Sequence, residues 1–82
     1  LDGDTFKIRG GTTIRLANVR APENGTKGAA EARHALEDII QGKTVSYRPV
    51  GTSYNREVAN VKVGGKSVNQ AMRNKGYTNK GR

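Results

Sequence analysis

The sequence TIRLANVRAPE, residues 13–23, is the part of the chain around which the other predicted elements are organised. Ile14, Leu16 and Asn18 alternate with Arg15, Ala17 and Val19, and this period of two predicts a β-strand with the two sets on opposite faces. A proline fixes its own φ and pushes the residue before it into an extended conformation. We therefore expect the strand to run up to Ala21-Pro22-Glu23 and to end there in a rigid elbow.

The same stretch carries a pair of side chains suited to phosphodiester chemistry. Arg15 lies on the strand, and the elbow presents Glu23. A guanidinium group neutralises phosphate oxygens, and a carboxylate binds a metal ion or orients a water molecule. Taken alone, Glu23 could equally well brace its own loop.

The segment before this strand predicts a β-hairpin. Phe6 and Ile8 alternate with charged residues, and Gly10-Gly11 is a typical hairpin turn. Pairing in such a hairpin would carry Asp4 to the same end of the sheet as Arg15. Asp2 and Asp4 flank Gly3, which we expect to allow a bulge or a positive φ, and the two acids could also be ordinary turn residues.

The remaining chain predicts a helix, two strands and a short helix. Apolar spacing gives a helix over residues 27–41 with Thr26 as its N-cap, and alternation gives strands at 43–50 and 56–63. Ser67 begins a capping box for the short last helix. With a strand end at residue 1 the order is three strands, helix, two strands, helix. This order predicts a mainly β, α+β fold: a five-stranded OB-type Greek-key barrel with a helix between strands 3 and 4 and a short C-terminal helix.

Composition limits the possible partners of the chain. It has 82 residues, 15 Lys and Arg against 7 acids, a formal net charge of +8, and no acid after Glu57. Such a basic chain favours nucleic acid as partner, most simply as a monomer. Nothing in it predicts a membrane span, and the lack of cysteine excludes thiol catalysis and zinc–thiolate sites. We expect one domain, residues 1–77, with a basic tail at 78–82. A trimmed mature form, without initiator Met, would fit secretion or the periplasm.

Five short motifs in register resemble those of the staphylococcal nuclease (thermonuclease) family. They are Asp2-Gly3-Asp4-Thr5, Ile14-Arg15-Leu16, Ala21-Pro22-Glu23, Tyr54-Asn55-Arg56 and Gly65-Lys66-Ser67-Val68-Asn69. The resemblance extends from Leu1 to about Tyr77. It implies an OB barrel with an inserted helix and calcium-dependent endonuclease activity, the hydrolysis of phosphodiester bonds in DNA and RNA.

The resemblance also implies a role for individual residues on the phosphate side of the site. Arg15 and Arg56 match the two arginines that hold the scissile phosphate. Glu23 matches the glutamate that acts as general base or orients the attacking water. Tyr54 matches a tyrosine beside the phosphate of the bound nucleotide.

On the metal side, the resemblance is less complete. Asp4 matches a carboxylate ligand of the calcium ion, Asp2 matches an acid that acts from just behind the ligands, and the Ala21 carbonyl matches a backbone ligand. Where the family has a further aspartate ligand, this chain has Arg20. A cation beside a divalent metal opposes its binding, and calcium prefers several oxygen ligands. We therefore predict weak or absent metal binding.

Two classes of function follow from these residues. The first is a nuclease that hydrolyses phosphodiester bonds with a divalent metal ion. It would use Asp4 and Glu23 together with Arg15 and Arg56, and the joint presence of these four residues favours it slightly. The second is a catalytically degenerate nucleic-acid-binding module, which Arg20 favours. A protein-interaction barrel is a weaker third reading.

Overall fold

The protein has a mixed five-stranded sheet and two helices, in a computed structural model that describes residues 2–78. This confirms the predicted α+β class with an OB-like sheet. The elements in chain order are β1 (Thr5–Lys7), β2 (Thr13–Leu16), α1 (Ala29–Ile40), β3 (Val45–Ser53), β4 (Arg56–Val63), β5 (Lys66–Ser67) and α2 (Val68–Asn74). Leu1 and residues 79–82, which hold most of the predicted basic tail, lie outside the described residues.

The N-terminal hairpin and the last strand both pair with β4. The sheet order is β1-β2-β4-β3, and β5 pairs with β4. β1 and β2 form the predicted antiparallel hairpin, whose turn glycines Gly10 and Gly11 have φ of 97° and 92°. β2 runs parallel to β4, so Arg15 lies beside both Thr5 and Val58. The strand that carries Arg15 is therefore central in the sheet.

The sheet does not close into the predicted barrel among the described residues. Its edges are β1 and β3, and the segments 6–9 and 43–45 line opposite sides of an open depression between them. Closure would need a backbone ladder between these two edges, and β1 and β3 share none. The fold class is therefore as predicted, but the sheet is open where a closed barrel was expected.

The predicted position of α1 between strands 3 and 4 also needs correction. In the described residues α1 follows β2, because the segment expected to end a first strand contributes only an isolated bridge between Asp2 and Thr5. The helix begins after Gly28, whose φ is 87°, without a side-chain cap. Thr26 is not the N-cap, because its hydroxyl donates back to the Glu23 carbonyl.

β2 ends at Leu16, five residues before the expected stop. Ala17 and Asn18 form a turn in which Asn18 has φ 59°, and the alternation of the strand is lost. Ala17 and Val19 are buried as a result, although the strand pattern placed them on the face of Arg15. The elbow at Ala21 is therefore the end of a buried loop rather than of a strand.

The core lies between the inner face of the sheet and the two helices. Its largest fully buried apolar side chains are Ile14, Leu16, Val19, Leu36, Val61, Val68 and Met72. The capping-box serine behaves as predicted, because the Ser67 hydroxyl accepts a hydrogen bond from the Gln70 amide at 3.0 Å. This cap directs α2 back across β4, with which α2 is in contact.

Candidate functional site

An open cleft on the outer side of the sheet collects every residue singled out from the sequence. We call it the cleft and define it by its lining: Asp2, Asp4, Arg15, Arg20, Ala21, Glu23, Ser53, Tyr54, Arg56 and Val58. These residues come from the N-terminal bend, β2, the elbow and the β3–β4 hairpin. Sequence-distant charges thus meet because β2 and β4 are neighbours.

Asp4 is the buried acid of the cleft, with 8% of its surface exposed. Its Oδ1 accepts from the Thr5 hydroxyl at 2.9 Å, and its Oδ2 accepts from the Ala21 amide at 3.1 Å. Its backbone carbonyl accepts from the Leu16 amide at 2.8 Å. Asp4 therefore fastens the N-terminal bend to both β2 and the elbow.

Arg15 faces Asp4 across the β1–β2 pair. Its Nη2 lies 3.8 Å from Asp4 Oδ2, and its Nη1 donates to the Leu16 carbonyl at 3.3 Å. A guanidinium group has five N–H donors, so these contacts fix its plane and leave donors for a ligand in the cleft.

A tight turn carries Tyr54 and Arg56 at the other side of the cleft. Tyr54 and Asn55 have φ of 50° and 64°, the pattern of a two-residue hairpin turn that suits the strand twist. Asn55 accepts such a backbone readily, whereas Tyr54 does so at some cost. Arg56 Nε donates to the Ser53 carbonyl at 3.3 Å, and its guanidinium carbon lies 5.9 Å from the Tyr54 ring centroid. Tyr54 itself is 90% exposed.

The elbow supplies the exposed charges of the cleft. The Arg20 amide donates to the Tyr77 carbonyl at 3.4 Å, and Thr26 binds the Glu23 carbonyl with both its amide and its hydroxyl. Arg20 and Glu23 are both exposed. Within residues 2–78 the only ion pair joins Arg15 and Asp4, so Arg20 pairs with neither Asp4 nor Glu23.

A comparison with protein families gives this geometry a context. Residues 13–81 match the model of the family described as Staphylococcal nuclease homologue. The chain is a member of the staphylococcal nuclease family. The match includes Arg15, Glu23 and Arg56, and it begins after Asp2 and Asp4. No curated protein matches the chain.

Membership of this family implies nucleic-acid binding and a nuclease-like function. A membrane-spanning role for α1 or α2 finds no support, since neither described helix has the length and hydropathy to cross a bilayer. The family uses calcium, so the fit of this cleft to a calcium ion can be tested on its own residues.

The cleft residues do not fit a calcium site. Within residues 2–78 no three His, Cys, Asp or Glu side chains gather in a way that would hold a metal ion. Both oxygens of Asp4 already accept hydrogen bonds, and Arg15 lies beside one of them. Arg20 adds a further positive charge to the same cleft, which opposes a divalent cation.

Asn69 was quoted in a sequence motif but given no role, and the structure shows that it supports the cleft from below. Its side chain is fully buried, and its Oδ1 accepts from the Val61 amide at 2.8 Å. Its Nδ2 donates to the carbonyls of Ala17 and Ala59, both at 3.0 Å. Asn69 thus ties the turn after β2 to the middle of β4. The sequence signal for this role was the position of a polar residue, Asn69, between the apolar core positions of α2.

Arg73 reinforces the same turn from one helical turn further along α2. Its Nη1 donates to the Ala17 carbonyl at 3.2 Å. Two side chains of α2 therefore hold one carbonyl, which explains why the chain leaves the sheet at Ala17 rather than at the proline.

Gly3 serves a close approach and not the expected positive φ. Its φ is not among the positive values of the glycines. A Cβ on Gly3 would lie 2.6 Å from the Ala32 Cβ and 2.8 Å from the Ala21 Cβ. The bend that carries Asp2 and Asp4 can therefore pack against α1 and the elbow only with glycine at this position.

Proposed function

We propose that the cleft binds the phosphodiester backbone of nucleic acid through Arg15, Arg20 and Arg56. The observation that carries this proposal is that three arginines line one cleft and that, within residues 2–78, only Arg15 has an acidic partner. Guanidinium groups match phosphate oxygens in geometry and keep their charge at all working pH values. In this proposal the arginines supply the positive charge that the family otherwise draws from calcium.

The two arginines on strands would bind the same phosphate from opposite sides. Contacts to Leu16 and Asp4 hold Arg15, and contacts to Ser53 and the Tyr54 ring hold Arg56. Guanidinium groups that protein contacts already fix lose little conformational entropy when a ligand binds, so more of the interaction energy contributes to affinity. Tyr54, with its exposed ring, offers a stacking surface for a base beside that phosphate.

Hydrolysis is the second candidate function, and Glu23 is the observation that favours it. A binding-only cleft gains nothing from an exposed carboxylate near a bound phosphate, because the two repel each other. A carboxylate opposite two arginines is the arrangement needed to orient a water molecule for attack on phosphorus. In this reading Glu23 positions the water, and Arg15 and Arg56 stabilise the charge that develops on the phosphate oxygens.

A salt titration of oligonucleotide binding tests the first proposal. On single strands, log affinity falls against log salt with a slope of about −0.7 per phosphate contact. Arg15→Gln and Arg56→Gln should each weaken binding and make the slope about 0.7 less steep. The matched control is Arg33→Gln, since Arg33 lies on α1 outside the cleft lining. Equal slopes for all three variants would show that the cleft is not where phosphate binds.

Cleavage assays on plasmid DNA and RNA with calcium, magnesium or chelator test the second candidate. Loss of arginines aimed at transition-state charge typically costs ~10²-fold in rate. We expect Arg15→Ala and Arg56→Ala to lose far more of any activity than Arg33→Ala, and Glu23→Gln to lose it without losing binding. No cleavage by the unmodified protein in any of the three conditions would leave binding as the function.

A further inference from the structure

We propose that a single strand of nucleic acid continues out of the cleft along the outer face of β4 and β3, where Arg48 and Lys62 neutralise its phosphates. This inference rests on the proposed phosphate binding in the cleft and extends it to a second set of residues. We call this surface the basic face and define it by Ser46, Arg48, Asn60, Lys62 and Ser67, which line one shallow depression.

Strand alternation makes the basic face continuous with the cleft. Arg56 and Val58 line the cleft, and Asn60 and Lys62 follow at the same period of two on β4. The residues between them on the other face, Ala59 and Val61, are fully buried. The outer face of this strand therefore extends without interruption from the cleft to the depression.

A β-bulge places Arg48 on this face. β3 pairs Arg48 with Asn60 and Gly51 with Val58, and the register shifts between Pro49 and Gly51. In an unbroken strand Arg48 and Ser53 would point to opposite faces, because they are five residues apart. The extra residue at Val50 restores the alternation, so that Arg48 and Ser53 share the face of the cleft.

The charge on the basic face has no acidic counterpart. Arg48 and Lys62 are exposed, and within residues 2–78 neither takes part in an ion pair. β3 contains no acid, and Glu57, the acid of β4, lies on the opposite face of the strand from Arg56 and Val58. Small polar side chains stand beside the two cations, since Lys62 pairs with both Ser46 and Ser67. These neighbours leave room for a ligand and offer hydroxyl donors to phosphate oxygens.

The length of the face fits a nucleic-acid strand. Arg56 and Lys62 are six residues apart on β4, which corresponds to about 20 Å at ~3.3 Å per residue. A stacked strand has a phosphate every ~3.4 Å, so about six nucleotides cover this distance, and fewer do when the strand is extended. OB folds that bind single strands typically occupy ~4–16 nucleotides in a positively charged groove.

The test compares two oligonucleotide lengths with two double variants. A thymidine trinucleotide can fill the cleft alone, whereas an oligonucleotide of about 15 nucleotides also reaches the basic face. The test variant is Arg48→Gln with Lys62→Gln. The control variant, Lys7→Gln with Lys43→Gln, removes the same charge from exposed residues at the open edge of the sheet. Circular dichroism verifies that all the proteins are folded.

We expect the test variant to bind the trinucleotide like the unmodified protein and to bind the longer strand with a slope about 1.4 less steep. That slope change corresponds to about 25-fold in relative affinity for each tenfold change in salt. Unchanged affinity and slope for the longer strand, as in the control variant, would overturn this inference alone. If the test variant lost binding to anionic lipid vesicles but kept its binding to both oligonucleotides, the basic face would bind a lipid surface instead, which would also overturn this inference. If the unmodified protein binds neither oligonucleotide, the proposed function fails as well.

Discussion

The cleft has two halves that the fold holds in different ways. Asp4 and Arg15 are mostly buried, hydrogen-bonded to the backbone and supported through Ala17 by Asn69 of α2. Glu23 lies in the elbow and Tyr54 in a turn, both are exposed, and their side chains make no hydrogen bond within the part of the chain that the structure describes. The first half is part of the folded core, whereas the second half is attached to it through short loops.

Substitutions in the two halves should therefore have different consequences, the first acting through folding and the second through binding or catalysis. A substitution in the anchored half removes bonds that join separate elements, so stability and function fall together. A substitution in the loop half touches little else, so it can change binding or catalysis in a protein that is still folded.

The largest effect is expected where α2 supports the anchored half. Asn69→Ala would leave the buried Val61 amide without a partner, whereas the Ala17 carbonyl would keep Arg73 and the Ala59 carbonyl would keep the Ala17 amide. The unsatisfied amide should cost ~1–3 kcal/mol and each of the two other lost hydrogen bonds about 1 kcal/mol, so the free energy of unfolding should fall by about 4 kcal/mol. Urea denaturation measures this. The exposed Asn74→Ala is the control, and a similar midpoint for both variants would refute the support role.

A smaller loss is expected from the close approach at Gly3. Gly3→Ala would force a methyl group to within 3.0 Å of Ala21 and Ala32, so we expect a cost of about 3 kcal/mol in unfolding free energy. Gly51→Ala is the matched control, because a methyl group there meets nothing within 4 Å. If thermal unfolding leaves Gly3→Ala as stable as the control, the N-terminal bend is not packed as described.

Arg20 lies between the two halves, and its replacement tests the metal argument. Arg20→Asp removes a cation and supplies a carboxylate, so calcium affinity should rise by ~1–3 kcal/mol above that of the unmodified protein. Arg20→Gln removes the charge without adding a ligand and should gain less. Calorimetry compares all three proteins. Tight calcium binding by the unmodified protein, or no gain in Arg20→Asp, would contradict this explanation of the departure from the family.

The smallest effect on stability is expected in the loop half. Glu23→Gln alters an exposed side chain with no ion pair among residues 2–78, so the free energy of unfolding should stay within about 0.5 kcal/mol. The corresponding change in the anchored half, Asp4→Asn, alters two hydrogen bonds and an ion pair and should cost more. Equal stabilities by urea denaturation would remove the distinction between the halves.

The sequence predicted the residues of the cleft better than the path of the chain between them. Short motifs such as Tyr54-Asn55-Arg56 at a tight turn can be recognised from neighbouring residues alone, and Gly10-Gly11 predicted the hairpin in the same way. The end of β2 at Leu16 could not be predicted in this way, because it depends on Asn69 and Arg73, more than fifty residues away along the chain. Barrel closure was equally non-local, since it depends on whether two edge strands reach each other.

In the proposed function, arginines rather than a metal ion supply the positive charge of the cleft. The most direct test is the affinity of the unmodified protein for one oligonucleotide, measured in chelator and in calcium at matched ionic strength. We predict equal affinities in the two solutions, and a loss of affinity in both for Arg15→Gln. Binding that appears only with calcium would contradict the account, because it would show that the cleft holds a metal ion despite Arg20.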